Sequence, residues 1–134
     1  MDFDALIKKY GFRAPKRKGH PEDDLQKACV RWFALRYRRY SPLLWHIPNG
    51  GRRDAAEAAK FKEMGVRAGV PDLEFAMPNK FYHGLYIEMK SEKGRQSEKQ
   101  KRYQFLLEGQ GYRYVVCRSL QDFQDIMNDY IKER

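Results

Sequence analysis

Cysteine is scarce in this 134-residue chain: there are two, Cys29 and Cys117, one in a helical apolar pattern and one closing an expected strand. Two isolated cysteines make neither a disulfide framework nor a zinc cluster. The three histidines, His20, His46 and His83, lie too far apart for zinc spacing and read as structural or surface residues. No apolar run approaches the ~20 residues of a membrane span. The N-terminal MDFDALIKKYGF has no apolar leader. No internal repeat, nucleophile elbow or Cys/His pair is present, and the Gly-rich turn at 48–53 lacks the Gly-Lys-Ser/Thr ending of a Walker loop. These absences leave a reducing, cytoplasmic setting as the expectation, in a bacterial or phage-infected cell, with no membrane.

Large apolar side chains and positive charge are abundant. Hydrophobic residues make up 42%, including 8 Phe, 9 Tyr and 2 Trp, enough for one buried core. Lys and Arg number 27 against 18 Asp and Glu, a formal net charge of +9. Such a surplus attracts polyanions, nucleic acid first among them, although net charge alone is not a site.

The pattern divides the chain into a basic arm at 1–19, rich in Arg and Lys around Pro15, and one domain at 20–134. Residues 21–39 are expected to be helical, with Pro21 at the first position, Glu22, Asp23 and Asp24 in the first turn, and an inward stripe of Leu25, Cys29, Trp32 and Phe33. Leu43 to Ile47 suits a short strand and 54–64 an Ala-rich helix stopped by Gly65. Strands follow at 72–77 and 84–90, a helix at 96–109 and a strand at 112–117. Ser119 and Asp122 suggest a capping box before a helix striped with Phe123, Ile126, Met127, Tyr130 and Ile131. The order α-β-α-β-β-α-β-α predicts an α/β fold, a mixed central sheet flanked by helices.

Alternation along 84–90 puts Leu85, Ile87 and Met89 on one face and Tyr86, Glu88 and Lys90 on the other. Two charges on an otherwise apolar strand are costly if covered, and an ion pair or a metal with water would offset that cost. Asp72 and Glu74 share a face of the preceding strand; if the two strands form a hairpin, Asp72 stands on the Glu88/Lys90 side. Two carboxylates and an amine then converge. Carboxylate oxygens suit a hard cation such as Mg²⁺ or Mn²⁺, and a lysine beside it can orient water and stabilise developing charge. A Glu-x-Lys pair by itself is far more often an exposed edge-strand pair than a site.

The segments PEDDLQ (21–26), PNGGRR (48–53), AGVPDLEF (68–75), LYIEMK (85–90), GRQSEKQ (94–100) and GYRYVV (111–116) together resemble the PD-(D/E)xK nuclease superfamily, and within it the virus-type replication-repair nuclease domain, VRR-NUC. The resemblance spans about residues 20 to 118 and implies a restriction-endonuclease-like core. It implies Asp72 and Glu88 as metal ligands, with Glu22 from the first helix and the Met89 main-chain carbonyl as further ones. Lys90 becomes the catalytic lysine, and Gln100 a residue that positions water or phosphate. Glu22 heads the inward stripe of its helix, but the first-turn acids can equally serve the helix dipole, and Asp23 and Asp24 are left in that role. Gln100 also heads an inward face, where a structural hydrogen bond would suit it as well.

Asn49, Arg52 and Arg53 in the Gly-rich turn, with Lys93 and Arg95 after the lysine strand, are candidate phosphate contacts; a solvated turn is the alternative at 49–53. No helix resembles a base-reading helix, so recognition of DNA shape is expected. The resemblance implies a Mg²⁺- or Mn²⁺-dependent endonuclease acting on branched DNA such as a Holliday junction, as a homodimer. Three alternatives stay open: a flap or non-specific nuclease, an inactive DNA-binding module, and an accessory subunit of a replication or repair complex.

Overall fold

The computed structural model describes Lys9, residues 20–48 and residues 54–134. The arm expected at 1–19, Lys9 apart, and the turn residues Asn49, Arg52 and Arg53 lie outside the described residues.

Helix α1 (Pro21–Arg36) begins with Pro in its first turn and three acids beside it, and it buries Cys29, Trp32 and Phe33. It ends three residues before the expected boundary at 39. Tyr37 leaves the helical region at φ −126°, its N–H donating to the Phe33 carbonyl at 2.8 Å. The break turns Tyr37 inward, where its ring meets Phe33 and Trp32 and its hydroxyl donates to Asn128. A 3-10 turn (Ser41–Leu43) absorbs the start of the expected strand, so β1 covers only Leu44–His46.

Helix α2 (Ala55–Glu63) is capped by Asp54, which accepts from the Glu57 N–H at 2.7 Å, and Gly65 follows it at φ +98°. None of its residues is fully buried. Then come β2 (Leu73–Phe75), β3 (Leu85–Met89), α3 (Glu98–Gly109), β4 (Arg113–Cys117) and α4 (Leu120–Lys132).

The sheet runs in the order β1-β2-β3-β4. The first three strands are antiparallel neighbours, and β4 lies parallel to β3, so the sheet is mixed. The β2–β3 hairpin left conditional by the sequence is formed, with Leu73 opposite Ile87 and Glu74 opposite Tyr86. The parallel step from β3 to β4 requires a crossover, and α3 supplies it.

One sheet face is the core. Leu44, Leu73, Phe75, Leu85, Ile87, Met89 and Cys117 point to it, and α1 and α4 close over them. Phe33 on α1 packs edge-on against Phe75 and Phe123, and Tyr130 on α4 against Phe75. Each buried side chain of this size contributes about 1.5–3 kcal/mol. The α4 stripe read from the sequence is this contact: Phe123, Met127, Tyr130 and Ile131 are buried and Ile126 partly so. Its N-cap is half of the expected box. Ser119 accepts from the Asp122 N–H, but the Asp122 carboxylate turns back to the Arg118 N–H. The complete box is on α3, where Ser97 and Gln100 bond each other's main-chain N–H.

Candidate active site

The other sheet face carries the polar residues of β3. The hairpin register brings Asp72, just before β2, alongside Glu88, and the Asp72 Oδ2 accepts the Met89 N–H at 2.7 Å. The carboxylate thus takes a strand N–H where β2 begins. The Asp72 main chain is held from its other side. Its carbonyl accepts the Ile47 N–H at 2.8 Å and stands 2.8 Å from His46 Nδ1, which in turn lies 3.0 Å from the Gln26 amide.

Glu88 is 1% exposed. Its Oε1 accepts from the Gln100 amide at 3.1 Å, while Oε2 is buried with no hydrogen-bond partner. An ionised carboxylate in that position would be costly. Burial, then the negative charge of Asp72, then the hydrogen bond that the protonated carboxyl can donate to Asp72, and last the charge of Glu22 push the Glu88 carboxyl up to about 9, although Lys90 pulls the other way. Lys90 is 9% exposed, with its main-chain N–H bonded to the Cys117 carbonyl at the end of β4. Tyr114 on the neighbouring strand is buried beside this group. Its hydroxyl accepts from Gln96, and burial pushes its pKa well above that of a free phenol.

Glu22 reaches the end of β3 from the first turn of α1 and accepts the Ser91 N–H at 3.3 Å. Gly94 leaves room for it: a Cβ there would lie 2.9 Å from Ser91 Oγ and 3.4 Å from Glu22 Oε1. Arg118 ties down the same loop, its Nη1 donating to the carbonyls of Ser91, Glu92 and Gly94 at 2.9, 3.4 and 2.6 Å. Gly69, at φ +87°, lets the chain before Asp72 press on α3; a Cβ would sit 2.7 Å from that of Lys99.

The fold therefore draws Glu22, Asp72, Glu88, Lys90 and Gln100 to one end of β3. Gln100 makes a structural hydrogen bond of the kind the sequence allowed, to Glu88, and also caps α3. Asp23 and Asp24 stay on the exposed or half-buried first turn, and Asp23 lies 3.9 Å from His20. Lys93 and Arg95 are exposed on the loop after Lys90. Sequence reasoning missed Gln26, His46 and Arg118. The one available signal was that Gln26 follows Glu22 by four residues, on the same helix face.

Among the described residues no group of three Asp, Glu, His or Cys side chains is gathered to hold an ion. What the site offers is a pair of carboxylates, one with an orphaned buried oxygen, next to the main chain at Met89. That set of hard oxygens fits a hard divalent cation.

Comparison with known proteins bears on this arrangement. The VRR-NUC domain model matches residues 20–121. A solved structure described as a VRR-NUC domain protein superposes with a TM-score of 0.74 at 32% identity, over 87% of this chain and 93% of that one. Comparison with curated proteins gives no match.

Proposed function

The chain belongs to the VRR-NUC family of nucleases, and from that premise we propose that it is a Mg²⁺- or Mn²⁺-dependent DNA endonuclease that cuts branched DNA. The observation that carries the reading is Glu88. A carboxyl buried with an orphaned oxygen, beside Asp72 and Lys90, is costly to the fold and useful to a cation. Asp72 and Glu88 would hold the ion, with the Met89 carbonyl completing the protein's share and Glu22 near enough to add charge. When bound, the cation polarises a phosphoryl oxygen and lowers the pKa of water at the site. Lys90, on the same face as Glu88, would orient the attacking water and stabilise the charge that develops on the phosphate. Gln100 keeps Glu88 aimed. His46 Nδ1 holds the main chain that carries Asp72.

The net charge of +9 and exposed Lys93 and Arg95 favour a polyanionic substrate. Arg52, Arg53 and Asn49 would add phosphate contacts. A four-way junction presents two symmetry-related cuts, which two copies of the chain would make together.

The experiment is cleavage of labelled linear duplex, single strand, flap, fork and four-way junction with Mg²⁺ or Mn²⁺, comparing the protein with Asp72→Ala and Lys90→Ala. Metal-dependent cutting lost in both variants supports the site, and paired symmetric nicks in the junction support a resolvase. Cutting of flaps alone moves the substrate to a flap. Tight DNA binding with no cutting of any substrate would overturn the stand-alone enzyme, leaving a binding module or a subunit that needs a partner.

A further inference from the structure

The sheet face that bears the carboxylates holds a second feature, one step along the strands. The register aligns Trp45, Glu74, Tyr86 and Tyr114 as a row across all four strands. Asp72 and Glu88 occupy the next row, two residues on, a separation of about 6–7 Å. Helix α3 packs on β4 at one end of this row, and Gln96, just before the helix, bonds the Tyr114 hydroxyl. Over the β1–β2 half there is an open cleft of about 510 Å³, bounded by Trp45, Pro71, Glu74, Tyr86, Tyr103 and Leu107 among others. Trp45 remains 43% exposed on it.

We propose that this cleft receives the base of one unpaired nucleotide adjoining the scissile phosphodiester. The inference rests on the nuclease reading above. Three features select this occupant. The walls are aromatic and apolar, and every base offers them a flat π-face; stacking on such a surface is tolerant of sequence. Beside His46, whose Nδ1 lies against the Asp72 carbonyl, the cleft holds a carboxylate, fixed by the Tyr86 hydroxyl donating to Glu74 Oε1 at 3.2 Å. Glu74 repels phosphate, so the sugar–phosphate backbone is unwelcome, yet it accepts from the amino edge of a base, as Glu does from cytosine N4. The spacing also fits, because the base hangs from its phosphate by a single sugar and the aromatic row lies within that reach of the carboxylates.

The consequence is substrate choice. A base inside a duplex must be unstacked and unpaired to enter, and a base already unpaired enters at least cost. The cleft thus favours DNA with an unpaired nucleotide at the cut over continuous duplex, and among unpaired bases those with an amino edge over thymine.

The test uses duplexes carrying one bulged 2-aminopurine, a matched duplex, and the same bulge made abasic. In chelator, binding to the protein is expected to quench the 2-aminopurine relative to free DNA, and Trp45→Ala and Tyr103→Ala to abolish the quench while Trp45→Phe restores it. In Mn²⁺, the bulge is expected to be cut faster than its abasic counterpart by roughly fivefold to a hundredfold, the range for stacking one base. That ratio should fall towards one in Trp45→Ala and Glu74→Ala. Equal cutting of bulged and abasic DNA, or a quench unchanged by Trp45→Ala in protein with wild-type circular dichroism, overturns the cleft assignment. The binding arm needs no catalysis, so base capture can fail while metal-dependent cutting stands, and the reverse.

Discussion

Glu88 links metal binding to protons, and the linkage has a size. With its carboxyl pushed up to about 9, the cation-free protein holds Glu88 neutral at pH 7. A cation needs the carboxylate, so binding must expel the proton. Each pH unit below 9 adds about 1.4 kcal/mol to that step. Apparent Mn²⁺ affinity should therefore rise about tenfold per unit, about a hundredfold from pH 6.5 to 8.5. Without cation the sign for stability is opposite. The folded value lies above the ordinary carboxyl value of 4.5, so the stabilising contribution is complete below that value and is lost as pH rises towards 9. In that window the unfolded chain has already released the proton that the fold retains. Calorimetric Mn²⁺ titrations in two buffers of different ionisation heat count the protons directly. About one proton should be released at neutral pH by the wild type. Glu88→Gln should bind weakly, without proton release, and its stability in chelator should not fall across that window. A Mn²⁺ affinity flat from pH 6.5 to 8.5, with no proton released, would refute the assignment of Glu88 as a buried neutral acid that becomes a ligand.

Three further substitutions separate folding from chemistry. Gln100→Glu keeps an acceptor for the Ser97 N–H but loses the amide that bonds Glu88; cleavage should fall about tenfold or more while urea stability changes little, whereas Gln100→Ala should also cost about 0.5–1.5 kcal/mol. Arg118→Ala removes the donor to three carbonyls of the loop beside Lys90; turnover should drop several-fold with a stability loss of about 1 kcal/mol, and unchanged turnover would show the clip to be idle. Phe33→Ala empties the centre of the core-side aromatic cluster and should cost about 3–5 kcal/mol in urea unfolding.

What could be read from the sequence follows from the range of the interactions. The α4 stripe and the two faces of β3 are local periodicities, and both emerge as expected. Asp72 beside Glu88 needed one assumption, a hairpin, and the register supplies it. Where the sequence reading overran, at 37–39 and at Leu43, rings rather than propensity set the boundary, because Tyr37 and Tyr40 stack on each other across the break. The links from His46 to the Asp72 carbonyl, and from Arg118 to the loop at 91–94, end on main-chain acceptors 26 and 24–27 residues away. Any residue offers a carbonyl, so no side-chain pattern marks such a partner. The box at Ser97 was local and could have been found, since Ser-x-x-Gln is its signature; Gln100 was read only for its place at the head of a stripe.

The two faces of β3 divide the work of the fold. Leu85, Ile87 and Met89 are buried against α1 and α4, and the aromatic cluster that fixes the layers lies wholly on that side. Glu88 and Lys90, on the other side, oppose folding unless a ligand compensates. A face that contributes little cohesion can be altered without collapsing the molecule, so loss of cutting in Lys90→Ala reports on chemistry while Phe33→Ala reports on folding; Asp72→Ala also removes the acceptor of the Met89 N–H, so its stability is measured beside its activity. The same division explains why Glu88 tolerates an orphaned oxygen. The packing that outweighs its cost sits one residue away on each side of it along the strand, at Ile87 and Met89, and a hydrophobic residue in its place would improve the fold only by discarding the group that a cation needs.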